Sequence, residues 1–206
     1  MTDKQAFEKV RDRLVNDAGE IIQLVKQVRN SKDWLPWFAL IRILMPIAEA
    51  IGDLIYQDSP SQNLVRLFEN ELVKYKPNYK KVAALIILIF RHSLVHQDEV
   101  RSVASQNRTI KWIMSFDLPY QKDHMEIKPD PSDPLVYRIQ LDLTQFYQDL
   151  LDVCKAKINQ PTTGAGARYE QWRELDIDKE LIRNKNNKIL NKARQELELI
   201  FSFSIS

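Results

Sequence analysis

An apolar segment, residues 82–90, places the strongest constraint on how this chain folds. Its nine residues carry no charge, Arg91 follows directly, and His96 lies five positions further on. The length of the run, its alanines and the lack of a turn signal before Asp98 predict one buried helix over about residues 79–98. Arginine and histidine at the end of a buried helix indicate that these polar side chains have a specific role there.

The spacing of these polar residues indicates a site shared by two chains. His92 and His96 are four positions apart and therefore lie on one face of a helix. The side chains of Arg91 and His96 diverge by roughly 140° around the same helix. One helix cannot bring them together, but two copies packed side by side can. The pattern predicts a homodimer in which each copy contributes Arg91 and His96 to one cleft.

Apolar periodicity predicts an all-α, mainly helical chain with one small β-hairpin. The small number of glycines, four in the whole chain, also favours helices. Two β-prone segments, residues 109–116 and 135–141, predict a long-looped hairpin on the side of the bundle, at about residues 108–143. The predicted bundle helices cover about residues 3–29, 34–56, 60–76 and 79–98, with a fifth that begins at Thr144 and ends near Ile158.

Local signals predict where these helices begin and bend. Thr2 or Asp3 is expected to cap the first helix, and Thr144 to cap the fifth. Residues 59–62 have the spacing of a capping box with a proline in the first turn. Pro46 is expected to kink or interrupt the second helix, because proline cannot donate the backbone hydrogen bond of a helix interior.

The chain is predicted to divide near residue 160. Residues 1–160 form the helical domain with its hairpin. Residues 161–166 contain one proline and two glycines, which predict a flexible break. A C-terminal helical extension over about residues 177–201 completes the second unit, residues 161–206.

Composition narrows the environment in which the chain works. Cys154 is the single cysteine, which excludes an intrachain disulfide and is typical of a reducing compartment. Its place on the apolar face of the fifth predicted helix indicates a core residue. The N-terminus does not have the pattern of a signal peptide, and no charge-free apolar run reaches the length of about 20 residues that spans a bilayer. We therefore expect a cytoplasmic protein with no membrane partner.

Arg91 and His96, with the polar His92 directly after the arginine, resemble the Arg-x4-6-His signature of the HEPN superfamily. The resemblance covers the predicted helical domain, about residues 3–160. It implies a HEPN-like helical bundle and a metal-independent endoribonuclease that acts as a dimer without a cofactor. It also implies RNA as substrate and an antitoxin or regulatory partner, as in toxin–antitoxin, antiviral defence and CRISPR-associated systems. One toxin branch carries tyrosine where this chain has Asp98, so membership of that branch is not implied.

Cleavage of RNA without a metal needs a base, an acid and a cation for the phosphate. Histidine suits the proton transfers because its unperturbed pKa is about 6.5. Arginine suits the phosphate because its planar fork binds two oxygens and stays charged. We therefore assign His96 as the acid/base, Arg91 as the phosphate clamp and His92 as a helper. Glu49 and Asp53 are expected either to form a solvated helix face or to orient one of the histidines.

A basic stretch surrounds the start of the apolar helix. Residues 72–97 contain no Asp or Glu. Lysines bind phosphates whatever the base sequence, and the interleaved tyrosines can stack bases, so the stretch predicts an RNA path to the site. A solvated basic helix junction is the alternative. The predicted RNA-binding residues are Lys74, Lys76, Lys80 and Lys81.

Three other interpretations of the same residues stay open. Arg91 and His96 could form a buried polar network that fixes a dimer interface. His92 and His96 have the spacing of helix metal ligands, so a metal site is a further alternative; because there is no His-Glu-x-x-His motif and no evident third ligand, we assign no metal. The chain could also be a non-catalytic helical module that dimerises and binds RNA or protein without cutting.

Overall fold

The computed structural model describes residues 1–27, 35–86, 102–105, 107–115, 123–173 and 191–195. These residues form helices and a four-stranded mixed sheet that share one hydrophobic core. The predicted all-α bundle with a small side hairpin is therefore wrong. The sheet contains two strands that the sequence patterns did not mark, and Ile139 and Leu141 on its buried face belong to the same core cluster as the helices.

The helices come in two groups, one before the sheet and one after it. A π-helical turn, Leu14–Ala18, joins the first two, and a π-helical turn and a 3₁₀ turn, Leu67–Glu71 and Leu72–Lys74, extend the fourth. Residues 191–195, inside the predicted C-terminal helix, are also helical. The longer helices are α1 (Asp3–Arg13), α2 (Gly19–Gln27), α3 (Leu35–Ile55), α4 (Pro60–Arg66), α5 (Tyr79–Ile86), α6 (Leu143–Asn159) and α7 (Ala165–Arg173).

The predicted cap of the first helix is confirmed. The Thr2 hydroxyl accepts a hydrogen bond from the backbone N–H of Gln5 at 3.2 Å, and Gln5 Oε1 accepts one from the Thr2 N–H at 2.9 Å. This reciprocal pair satisfies two backbone donors that a helix start leaves open. Ser59 precedes α4, but its side chain makes no capping hydrogen bond, so the capping box predicted at residues 59–62 does not form.

Two other predictions concern α3 and α6. α3 continues through Pro46 from Leu35 to Ile55, so the proline does not interrupt it. Asp142, rather than Thr144, caps α6: its Oδ1 accepts a hydrogen bond from the Gln145 N–H at 2.9 Å. Aspartate is preferred over threonine at this position. Because Asp142 also ends the last strand, that strand passes directly into the helix.

The two predicted strands are present but do not form a hairpin. The strands are β1 (Val103–Ser105), β2 (Arg108–Ser115), β3 (Ile127–Asp130) and β4 (Asp133–Asp142), in the spatial order β1-β2-β4-β3. β2 and β4 lie side by side in parallel, from the pair Thr109–Val136 to the pair Ser115–Asp142. β4 forms its antiparallel hairpin with β3 instead, which arises within the segment predicted to be a loop.

The prolines of that segment conceal β3 from sequence patterns. Pro129 lies inside β3, an edge strand, where a missing N–H costs no interior ladder bond. Asp130 then closes the turn to β4: its Oδ1 accepts hydrogen bonds from the N–H and the O–H of Ser132 at 2.9 Å and 2.6 Å, and its Oδ2 pairs with Arg138. A side chain that bonds its own turn in this way stabilises the hairpin locally.

α3 lies at the centre of the core. Its side chains contribute Leu40, Ile41, Leu44, Ile47, Ala48, Ile51 and Leu54, all at most 1% exposed. Phe7 of α1 and Phe146 of α6 pack into the same cluster. Cys154 is fully buried there, as predicted, and burial raises the pKa of its thiol to about 12. No helix in the described parts of the chain is long and apolar enough to cross a membrane.

Gly52 permits a close backbone contact between α3 and α4. A Cβ at this position would lie 2.8 Å from the backbone oxygen of Asn63, nearer than real Cβ contacts allow. Asn63 cannot move away easily, because it is buried and held at both ends of its amide. Its Nδ2 donates to Asp53 Oδ1 at 2.7 Å, and its Oδ1 accepts from the Asp58 N–H at 2.9 Å.

Gly52→Ala should therefore destabilise the protein by about 1–3 kcal/mol, the usual cost of forcing extra atoms into a packed interior. Gly19→Ala is the matched control, because a Cβ on this second helical glycine would meet only Tyr147 Oη, at 3.7 Å. That control should gain up to about 1 kcal/mol from the higher helix propensity of alanine. Urea unfolding of both variants measures the difference, and equal stabilities would contradict the close contact.

Candidate functional site

The predicted catalytic residues Arg91, His92 and His96 lie outside the described residues. The helix that leads towards them in the chain is described as α5 over Tyr79–Ile86, the first part of the predicted helix at 79–98. Their convergence in a dimer cleft stays a prediction.

The two predicted supporting carboxylates lie one turn apart on α3. Asp53 is half-buried, and its Oδ1 accepts a hydrogen bond from Asn63 Nδ2 at 2.7 Å, which joins α3 to α4. Glu49 is also half-buried. Since the histidines of the predicted site are outside the described residues, an orienting role for either carboxylate stays a prediction.

The four predicted RNA-binding lysines have different surroundings. Lys76 is half-buried between the 3₁₀ turn and α5, and its charge contributes to the lowered pKa of His124. Lys80 and Lys81 are exposed in the first turn of α5, and neither makes an ion pair with another described residue. Lys74 Nζ instead lies 2.6 Å from Glu71 Oε2, while Lys157 Nζ binds the other oxygen of Glu71 at 2.8 Å. Burial opposes the ionisation of Glu71, but the hydrogen bonds from the two lysines hold its pKa below the usual value. Lys74 therefore serves a structural ion pair.

A buried polar network anchors the first residue of α5. Tyr79 and His124 are fully buried and Asp149 is 2% exposed. Tyr79 Oη lies 2.7 Å from His124 Nε2 and donates a hydrogen bond to Asp149 Oδ2 at 2.8 Å. The network thereby connects α5 to the turn before β3 and to the middle of α6.

The hydrogen bonds assign a proton to each atom of this network. The Asp142 N–H donates to His124 Nδ1 at 3.0 Å, so Nδ1 carries no proton and a neutral imidazole carries it on Nε2. Nε2–H can then donate to Tyr79, whose O–H donates to Asp149. Gln145 Nε2 donates to the second oxygen of Asp149 at 2.6 Å. Each of the donors named in this network thus has an acceptor, which buried polar groups require.

The network extends to the parallel strands through Asp142. This fully buried carboxylate accepts a hydrogen bond from Ser115 Oγ at 2.9 Å across the β2–β4 pair. The Ser115–Asp142 pair is the last register step of the parallel ladder. One aspartate therefore caps α6 with its side chain, bonds to β2, and fixes the tautomer of His124 with its backbone.

Burial shifts the pKa values of the network in opposite directions. Burial, with a smaller contribution from the charge of Lys76, lowers the pKa of His124 from 6.5 to about 3. Burial raises the pKa of Asp149 from 3.8 to about 6, against the hydrogen bonds from Gln145 and Tyr79. Near neutral pH the imidazole is neutral and the carboxylate is ionised, which agrees with the proton positions above.

Asp149→Asn should make the effect of His124 protonation measurable in the pH dependence of stability. The lowered pKa of His124 means that the unfolded chain binds a proton below pH 6.5 that the folded chain does not, so stability falls as the pH falls. The raised pKa of Asp149 has the opposite effect as the pH falls through about 6. The two effects largely cancel in the wild type.

In the variant, the free energy of unfolding should therefore drop relative to wild type by about 1.4 kcal/mol for each pH unit between roughly pH 6 and 4. Urea unfolding at several pH values measures this slope. Asp12→Asn is the control, since Asp12 is exposed on α1 and pairs with Arg11. Parallel curves for wild type and Asp149→Asn would contradict the assigned protonation states.

Sequence patterns do not indicate the residues of this network. His124 lies in the predicted loop of the hairpin, and Tyr79 is one of the interleaved tyrosines predicted to stack bases. One local signal was available: Asp142 and Gln145 have the spacing of a helix cap. Nothing local indicates that residues 79, 124 and 149 meet. Among the described residues, no group of three or more His, Cys, Asp or Glu side chains is placed to hold a metal ion.

The network can hold other parts of the protein in position, but it cannot itself react with a substrate, because its tyrosine, histidine and aspartate are buried. Its described effect is to hold the first turn of α5, which carries Lys80 and Lys81 and leads to the predicted site. No family model matches the chain, and no curated protein or solved structure is significantly similar to it.

Proposed function

We propose that this protein is a metal-independent endoribonuclease of the HEPN type that acts as a homodimer. The observation that carries the proposal is Arg91-x4-His96 directly after nine charge-free apolar residues. The helical conformation of α5 is consistent with the expected helix, which would present Arg91 and His96 near its end. In this proposal the enzyme works in the cytoplasm, and an antitoxin or regulatory protein controls it.

The proposed reaction is an attack of the ribose 2′-hydroxyl on the neighbouring phosphate. His96 serves as the acid/base, and Arg91 binds the phosphate oxygens as negative charge develops there. His92 assists by hydrogen bonding or by a second proton transfer. The products would be a 2′,3′-cyclic phosphate and a free 5′-hydroxyl. DNA would not be cut, because it lacks the attacking group.

The described surface offers one route for RNA towards this site. Lys80 and Lys81 are exposed at the start of α5, and the buried Tyr79 directly before them holds that turn in place. Exposed lysines attract the phosphate backbone without reading its sequence. The RNA would thus approach along α5 in the direction of Arg91.

The test is incubation of the purified protein with an RNA oligonucleotide in EDTA, beside the same sequence made of DNA. We expect RNA fragments that end in 2′,3′-cyclic phosphate and uncut DNA. Cleavage that requires an added divalent metal, or cutting of the DNA strand, would overturn the proposal. RNA binding without any cleavage would favour the non-catalytic binding module instead.

Replacing Lys80 and Lys81 together by alanine should weaken RNA binding and its salt dependence. Loss of two phosphate contacts lowers the slope of log affinity against log salt by about 1.4 for a single strand. Lys74→Ala is the matched control and should change the slope little, because Lys74 is paired with Glu71. Binding titrations at several salt concentrations measure both slopes, and an unchanged slope in the double variant would exclude this RNA path.

A further inference from the structure

A pocket of about 200 Å³ opens between α1, α3 and α7. Val10 and Ile47 form its apolar floor and are 4% and 1% exposed. Its wall is aromatic and its rim is basic.

The aromatic wall consists of Tyr169 and Trp172, three positions apart on α7. Their ring centroids are 5.5 Å apart and the rings are tilted by 51°. Tyr169 packs against the hydrophobic core, while Trp172 is 42% exposed. Tyr169 therefore supports one side of an indole that is left open to solvent, and such a surface can stack a flat ring.

The basic rim consists of Lys9 and Arg13, which lie one turn apart on α1. Lys9 is exposed and makes no ion pair with another described residue. Arg13 Nε donates to Asp17 Oδ2 at 3.2 Å, a bond that orients the guanidinium and uses one of its five N–H groups. Together the two cations suit one phosphate group.

The charges beyond Lys9 restrict the size of an anionic ligand. Glu8, Asp12 and Glu170 line an adjoining, more open groove on the other side of Lys9. Glu170 lies 3.6 Å from the N-terminal amine, and Asp12 is 2.6 Å from Arg11. A long polyanion that continued past Lys9 would meet these carboxylates, whereas a single phosphate would not.

We propose that this pocket binds a mononucleotide. The base stacks on Trp172 above the floor formed by Val10 and Ile47, and the phosphate binds Lys9 and Arg13. The site does not depend on the proposed ribonuclease activity, so either can fail without the other.

Calorimetric titration with AMP tests the site, with adenosine and ribose 5-phosphate as the two halves of the ligand. We expect AMP to bind more tightly than either half. Trp172→Ala should weaken AMP binding about fivefold or more, and Lys9→Ala about tenfold. Lys4→Ala is the control: Lys4 is on the same helix, pairs with Glu8 at 3.7 Å and does not line the pocket.

Trp172→Phe separates stacking from folding effects. It keeps an aromatic face, so AMP affinity should stay near that of wild type. A change in Trp172 fluorescence, which we expect when AMP binds the wild type, should be lost. Absence of AMP binding at millimolar concentration would overturn the proposal. So would an affinity that neither Trp172→Ala nor Lys9→Ala reduces, or one that Lys4→Ala reduces as much as Lys9→Ala does.

Discussion

His96→Ala should reduce RNA cleavage at least a hundredfold and leave the melting temperature close to that of wild type. General acid–base catalysis by a positioned side chain contributes about 10²–10⁴ to the rate, and the variant removes the proposed acid/base. Arg91→Ala should cause a comparable loss, because no other cation is assigned to the phosphate. Arg91→Lys should recover only part of the rate, since lysine keeps the charge but lacks the planar fork.

Cleavage rates of a labelled RNA in EDTA, measured alongside thermal unfolding, separate a lost catalyst from a lost fold. His92→Ala serves as the internal comparison, because a helper should matter less than the acid/base. If His96→Ala or Arg91→Ala cut RNA as fast as wild type, the proposed mechanism would be wrong. A low rate accompanied by an unfolded protein would instead support the interpretation of Arg91 and His96 as an interface network.

Tyr79→Ala should leave much of the protein unfolded. Removing a fully buried aromatic side chain costs about 3–5 kcal/mol. Here it also leaves His124 and Asp149 without their shared partner, at about 1–3 kcal/mol for each buried group left unsatisfied. The free energy of unfolding of a globular domain is about 5–15 kcal/mol, so the combined loss approaches the entire stability of the protein.

Tyr79→Phe separates the hydroxyl from the ring. The ring contact with Phe68, edge to face at a centroid distance of 5.4 Å, is kept, while both hydrogen bonds are lost. We expect a loss of about 1–3 kcal/mol in urea unfolding. Tyr75→Phe is the matched control, since Tyr75 lies four residues earlier in the chain and is 39% exposed, and it should change stability by less than about 0.5 kcal/mol. Equal effects of the two substitutions would show that the network adds no stability.

Parts of the fold that depend on neighbouring residues could be predicted. The cap at Thr2 requires only Gln5, three positions away, and the apolar face of α6 that buries Cys154 repeats within the helix itself. The prediction of Thr144 as the cap of α6 is wrong, although Asp142 and Gln145 carry the same kind of local signal. A wrongly predicted cap shifts the helix end by only a few residues, because hydrogen bonds within one turn decide where a helix begins.

The fold class could not be predicted in the same way. The segments that form β2 and β4 were recognised as strands, but alternation along a strand does not indicate which neighbour it pairs with or in which direction. β3 contains Pro129 and lies in a proline-rich segment, so sequence patterns do not mark it, and without it they leave β2 as the antiparallel partner of β4. The all-α assignment failed for this reason.

The sequence by itself determined the local chemistry: helical periodicity, the cap at Thr2, the exposed lysines of α5, and an Arg91–His96 motif from which a site is proposed. Only the tertiary structure decided that β2 and β4 run parallel, that Gly52 touches the backbone of Asn63, and that Tyr79, His124 and Asp149 share one buried network. The physical reason is distance along the chain. Periodicity and capping act over a few residues, whereas a buried hydrogen bond or a backbone contact depends on which distant segments the core brings together.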